Sequence, residues 1–136
     1  MYPRDDYTVD AKDQPKDSIQ TIRWMPGDKS TMFAAAGWDG KIRFYELTQS
    51  SGYNSREKLE CKAVVDMGAP VLALEWISAT SLLAGLADGN LAEINTQNGN
   101  KSSIAKIDSP ILELKYFEDN QLAVLIVFTG DDRIFF

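Results

Sequence analysis

The chain has 136 residues, 44% of them hydrophobic and 25% charged, a composition that suits one globular domain with a modest core. Twenty acidic residues against 14 basic ones give a net charge of -6. With no compact Lys/Arg block, that balance argues against direct binding to DNA or RNA, whose affinity comes from neutralised phosphates.

Residues 1–16, with Asp5, Asp6, Asp10 and Asp13 among Arg4, Lys12 and Lys16, read as a tail that lies over the domain or stays disordered. They hold no apolar core for a secretory signal. "SIQTIRW", Ser18 to Trp24, is the first expected strand. "FAAAGWDGKIRFYEL", residues 33–47, then runs from small apolar residues through a Gly/Asp turn into alternation, with "IRFYEL" reading as an outer strand with one half-wet face. "TQSSGYNSREK", Thr48 to Lys58, has the composition of a surface loop. Cys61, in "LECKAVVDMG", is assigned to the outer strand of the second unit as a structural thiol. As the single cysteine it fits a reducing compartment. "PVLALEW" from Pro70, "LAGLADGNLAEIN" from Leu83 and "PILELKY" from Pro110 continue the strand pattern. "LAVLIVF", Leu122 to Phe128, is far short of the ~20 residues of a membrane helix and reads as a buried strand covered on both faces.

These segments repeat. "SIQTIRW", "PVLALEW" and "PILELKY" each place an apolar residue second and fifth and an aromatic seventh. Each is followed by a strand, a turn holding Asp39, Asp88 or Asp131, and a second strand. A repeat of roughly 40 to 45 residues with four strands per unit is the pattern of a propeller blade. The division expected is a tail, 1–16, and units of about 17–58, 59–100 and 101–136. Trp24, Trp76 and Tyr116 share one repeat position, as a core contact between neighbouring units would. Asp39, Asp88 and Asp131 are structural turn residues that accept backbone N–H groups. Trp38 differs, since Ala87 and Gly130 replace it in the other units, and it is weighed as an interface anchor against a residue packing locally over its turn.

Catalysis finds little support. The chain has no histidine, which removes the commonest general base and metal ligand and leaves Cys61 without an imidazole partner. Gly37-Trp38-Asp39-Gly40-Lys41 fits neither phosphate-binding glycine motif, and a strand follows it. Asp131-Asp132 reads as a solvated turn. No cofactor is expected and no metal; a hydrolase built on Asp39, Asp88 and Asp131 is the alternative, and it requires a divalent cation.

Trp38-Asp39-Gly40-Lys41-Ile42-Arg43, followed by Phe44-Tyr45-Glu46, resembles the strand, turn, strand segment of a WD40 repeat. The stretch Gln14 to Leu47, about a quarter of the chain, resembles more narrowly the first blade of the nuclear-pore mRNA export propellers, the RAE/GLE family. Pro15, Asp17, Ser18, Ile19, Pro26, Gly37, Trp38, Asp39, Gly40 and Arg43 carry it. The spindle-checkpoint propellers that partner BUB kinases share much of this blade. The resemblance implies an all-β WD40 β-propeller, here about three four-stranded blades of an expected seven, the N-terminal part of a longer ring or a piece completed from elsewhere. It further implies a non-enzymatic scaffold in the nucleus, at the nuclear pore complex of the nuclear envelope, that supports mRNA export by docking a GLEBS-like segment of a phenylalanine-glycine nucleoporin. Other pore proteins are expected partners, RNA only indirectly, and no membrane; the alternative is a checkpoint propeller binding a kinase-derived peptide. Partners would meet the rim formed by Lys16 to Ser18, Asp66 to Ala69, Ile107 to Ser109 and the three Asp-bearing turns, with Trp38, Asp39, Gly40, Asp66, Met67, Asp88 and Asp108 as its contact residues. The missing histidine leaves the usual WD40 side-chain network incomplete in every unit.

Overall fold

The computed structural model describes residues 9–27, 30–49 and 57–136. Three antiparallel meanders follow one another. The first contains β1 (Ile19–Trp24), β2 (Met32–Gly37), β3 (Lys41–Gln49) and β4 (Glu57–Asp66), hydrogen-bonded in that order. The second contains β5 (Val71–Ser78), β6 (Ser81–Leu86), β7 (Asn90–Asn95) and β8 (Lys101–Lys106). The third contains β9 (Ile111–Glu118), β10 (Ala123–Thr129) and the two-residue β11 (Ile134–Phe135). β1 lies beside β5 and β5 beside β9, so the first strand of each sheet faces the same inner side. A short 3₁₀ turn, Ala11–Asp13, is the one helical element among the described residues.

Strand alternation explains how the sheets stack. On β5, Leu74 and Trp76 point to the first sheet while Ala73 points to the third. Leu74, Leu82 and Ile94, each at 0% exposure, meet Ala34, Ala36, Ile42 and Phe44 of the first sheet. Ala73, Leu83 and Leu91 meet Ile111, Leu114 and Val127 of the third. Each fully buried Leu or Ile contributes about 1.5–3 kcal/mol. Trp76 ties sheet to sheet twice: its ring meets Phe44 edge-on at 6.1 Å, and its Nε1–H donates to the Arg23 carbonyl at 3.0 Å.

Several expectations need correction. Trp24 and Tyr116 share the position of Trp76 without its burial: Trp24 is 56% exposed and Tyr116 half-buried. Trp76 packs on Phe44 of the first sheet, whereas no sheet among the described residues lies against Trp24, and Tyr116, although beside the second sheet, directs its hydroxyl to exposed Glu118. Cys61 lies on β4, the outer strand of the first sheet rather than of the second, because the chain returns after the loop to pair with β3; Tyr45 opposes Cys61. The sequence repeat is therefore out of phase with the sheet by one strand. β3 is an interior strand with no wet face at its centre, since Arg43 is 6% and Tyr45 2% exposed. β10, expected to be covered on both faces, buries only Val127 and Thr129. Of the 48–58 loop, residues 50–56 lie outside the described residues, as do residues 1–8 of the tail.

The cover over Arg43 and Tyr45 is the N-terminal segment. The Tyr45 hydroxyl donates to the Asp13 carbonyl at 2.6 Å, and the Lys16 N–H donates to Asp39 Oδ2 at 3.1 Å. Burial, the largest cause, pushes the Tyr45 phenol up to about 12.

Candidate functional site

One backbone pattern builds all three Asp-bearing turns. The N–H of Trp38, Ala87 or Gly130 donates to the carbonyl just before its own sheet's first strand, that of Ser18, Pro70 or Pro110, at 2.8–3.0 Å. The N–H of Gly40, Gly89 or Asp132 closes the turn onto Gly37, Leu86 or Thr129. Gly40, Gly89 and Asp132 have φ of 76°, 89° and 65°, the left-handed region that suits glycine and that aspartate tolerates. In the first two sheets the Gly40 and Gly89 carbonyls also accept the N–H of Met67 and Ile107 at 2.8 Å, binding the turn to the end of the fourth strand. Turns, strand starts and fourth-strand ends thus form one continuous rim.

The aspartates serve this framework differently. Asp39 is buried. Its Oδ1 accepts the Lys41 N–H at 3.1 Å, and its Oδ2 accepts Arg43 Nη1 at 2.6 Å and the Lys16 N–H at 3.1 Å. Burial alone would raise this carboxyl, but the Arg43 hydrogen bond, the Lys16 and Lys41 N–H groups and the Arg43 charge together hold it below its ordinary value. Asp88 accepts the Asn90 N–H at 3.0 Å and the Asn90 amide at 2.9 Å. Asp131 accepts the Thr129 hydroxyl at 2.6 Å and Arg133 Nε at 2.6 Å. The Thr129 hydrogen bond first, then the Arg133 charge, lower its carboxyl against the opposing effect of burial. Asp108 pairs with Arg133 Nη2, which lowers it too. Each aspartate is thus held by its own neighbours, and among the described residues no three His, Cys, Asp or Glu side chains converge as a metal site.

Trp38 is 48% exposed and opens onto a hollow of about 430 Å³. Gln20, Leu72, Ala87, Pro110 and Leu112 complete its lining. Two of the turns and all three first strands therefore meet around it. Leu112, 51% exposed, gives it a second apolar wall. Gln20, Leu72 and Leu112 were not anticipated, although a signal exists: each is the third residue of the repeated segment, in "SIQ", "PVL" and "PIL". The other expected rim residues stand apart from this hollow. Met67, with Leu86, Asn90, Ala92 and Lys101, lines a smaller one of about 220 Å³. Asp66 accepts the Gly68 N–H at 2.9 Å, and its carbonyl accepts Lys101 Nζ. Asp39 and Gly40 build the turn and do not line the hollow beside Trp38.

Successive antiparallel meanders with adjoining first strands and Asp-bearing turns on one rim define a WD40-type β-propeller, of which this chain forms three sheets. No family model matches the chain. It is similar to the mRNA export factor GLE2 of Chaetomium thermophilum, 26% identical over 93% of this chain and 34% of that protein. It is similar also to the WD40 repeat protein poxJ of Penicillium oxalicum, 26% identical over 90% of this chain and 34% of that protein. The mitotic checkpoint protein bub-3 of Caenorhabditis elegans is 29% identical over 84% of this chain and 31% of its own length. The chain spans about a third of the length of these relatives.

Proposed function

We propose that this chain is part of a non-enzymatic WD40 scaffold in the nucleus that supports mRNA export at the nuclear pore. Its rim docks a short GLEBS-like segment of a phenylalanine-glycine nucleoporin. The observation that carries this reading is the apolar hollow at the meeting of the three first strands, with half-exposed Trp38 on its wall. Partly exposed Trp beside an apolar recess is the usual form of an interface anchor. Similarity to an mRNA export factor over 93% of the chain supports the choice of pathway. A non-enzymatic role is supported by the lack of histidine and by the Cys61 thiol, which burial and then the Asp13 charge push above its ordinary value, away from the reactive thiolate. RNA would associate through the assembled complex, given the net charge of -6.

A second reading, docking of a checkpoint-kinase segment on the same rim, is favoured by the 29% identity to bub-3. Pull-downs with immobilised nucleoporin and BUB-kinase segments separate the two. Retention on the nucleoporin segment is expected. Retention on the kinase segment alone moves the assignment to the checkpoint, and retention on neither removes both.

A further inference from the structure

The hollow beside Trp38 takes its two walls from meanders that do not adjoin. Gln20 and Trp38 stand on the first and Pro110 and Leu112 on the third, with Leu72 and Ala87 of the second between them. Trp38 hangs on the start of β1, because its N–H donates to the Ser18 carbonyl at 3.0 Å, and Pro110 leads directly into β9. The width of the hollow therefore follows the spacing of β1 from β9.

Three polar contacts govern that spacing, one for each pair of first strands. The Trp76 indole N–H donates to the Arg23 carbonyl at 3.0 Å and ties β5 to β1. Glu75 Oε2 accepts the Tyr116 N–H at 3.0 Å and ties β5 to β9. These two ties alone leave β1 and β9 free to swing about β5. Arg23 Nη2 donates to Glu113 Oε1 at 3.2 Å and closes the triangle; among the described residues it is the one hydrogen bond that joins the first sheet directly to the third. Both ends of this brace are themselves held. Arg23 Nη1 donates to the Ile22 carbonyl at 3.0 Å, and Glu113 Oε1 also accepts the Leu114 N–H at 3.2 Å. Arg23 lies three residues beyond Gln20, about 10 Å along a strand, and Glu113 directly follows Leu112. The brace thus crosses below the hollow, on the side away from the rim, without lining it.

We propose that Arg23 and Glu113 are positioning residues for the docking hollow: their pair holds the Trp38 wall and the Leu112 wall at the separation that receives a partner segment. This role rests on the docking of such a segment at the rim. The two side chains are 33% and 40% exposed, a setting in which an ion pair adds little to global stability, so its effect falls on the shape of the hollow.

Charge reversal in the full chain tests this, with R23E, E113R and the double swap R23E/E113R. Each single reversal sets like charges against each other. It should shift the Trp38 indole N–H resonance of the free chain and weaken binding of the nucleoporin segment roughly fivefold, the upper range for an exposed pair. The swap restores the attraction and should return the resonance to its place and the affinity to within about twofold of the wild type. Trp38 hydrogen-bonds neither residue, so a pair that only stabilised the fold would lower the melting temperature of the single variants and leave the Trp38 resonance unmoved. That result overturns the proposal, as does a swap that restores nothing, or single reversals that bind the segment as tightly as the wild type. If the wild type itself does not hold the segment, the docking function falls, and the free-chain resonances alone decide whether the pair sets the hollow.

Discussion

Replacing Arg43 with alanine strips the Asp39 carboxylate of the one cationic partner it has among the described residues. The Arg43 and Asp39 side chains are 7% and 9% exposed and meet at 2.6 Å. Removing one member of such a pair costs about 3–5 kcal/mol because the other charge stays buried. Two backbone N–H groups, of Lys41 and Lys16, remain on Asp39, which places the expected loss near the lower figure. At the entropy of unfolding usual for a chain of this size, about 3 kcal/mol lowers the melting temperature by about 10 °C. The loss should be local before it is global, since Lys16 and the cover over Tyr45 hang on the same network. Circular dichroism melts of the wild type and R43A, with timed proteolysis of the N-terminal segment, measure both effects. R43A melting within about 1 °C of the wild type would refute the reasoning.

Other substitutions probe the remaining framework. The folded-state pKa of Asp39 lies below its ordinary value of 3.8, so its pairing stabilises fully above the unfolded value and is lost as pH falls through the lower folded one. The wild-type melting temperature should accordingly fall in acid below about pH 4, and D39N should show a smaller fall in that window. Gly89 has φ 89°, and an added Cβ would lie 1.8 Å from the Ile107 carbonyl oxygen, whereas one at Gly68, φ 78°, would meet nothing within 4 Å. In chemical denaturation G68A should cost only the left-handed strain of about 1–2 kcal/mol, and G89A at least about 2 kcal/mol more. W76F keeps most of the ring but loses the donor to the Arg23 carbonyl; a loss of about 1–2 kcal/mol is expected from the same assay.

Much of this architecture is legible in the sequence, and where it is not the cause is a contact distant along the chain. The second and fifth positions of the repeated segment declare themselves in its second and third copies, where Val71, Leu74, Ile111 and Leu114 are completely buried, whereas Ile19 and Ile22 of the first copy are each 48% exposed. The interior position of β3 is hidden from local reading, since Arg43 and Tyr45 look like the wet face of a strand until the N-terminal segment is laid over them. Trp24 and Trp76 are indistinguishable by pattern and differ in whether a sheet among the described residues packs against them. The hollow beside Trp38 was half visible. Trp38 stands out by failing to recur, but Leu72 and Leu112 read as ordinary strand residues, and only the convergence of three strand starts makes them a wall.

The central claim, docking of an extended partner segment at the hollow, turns on one side chain that can be watched directly. The chain has three tryptophans and hence three indole N–H resonances in a nitrogen-correlated proton spectrum. Titration of the nucleoporin segment should shift the Trp38 signal saturably. The Trp76 signal, locked on the Arg23 carbonyl, should stay in place. A saturating segment that leaves the Trp38 resonance unmoved would contradict the account.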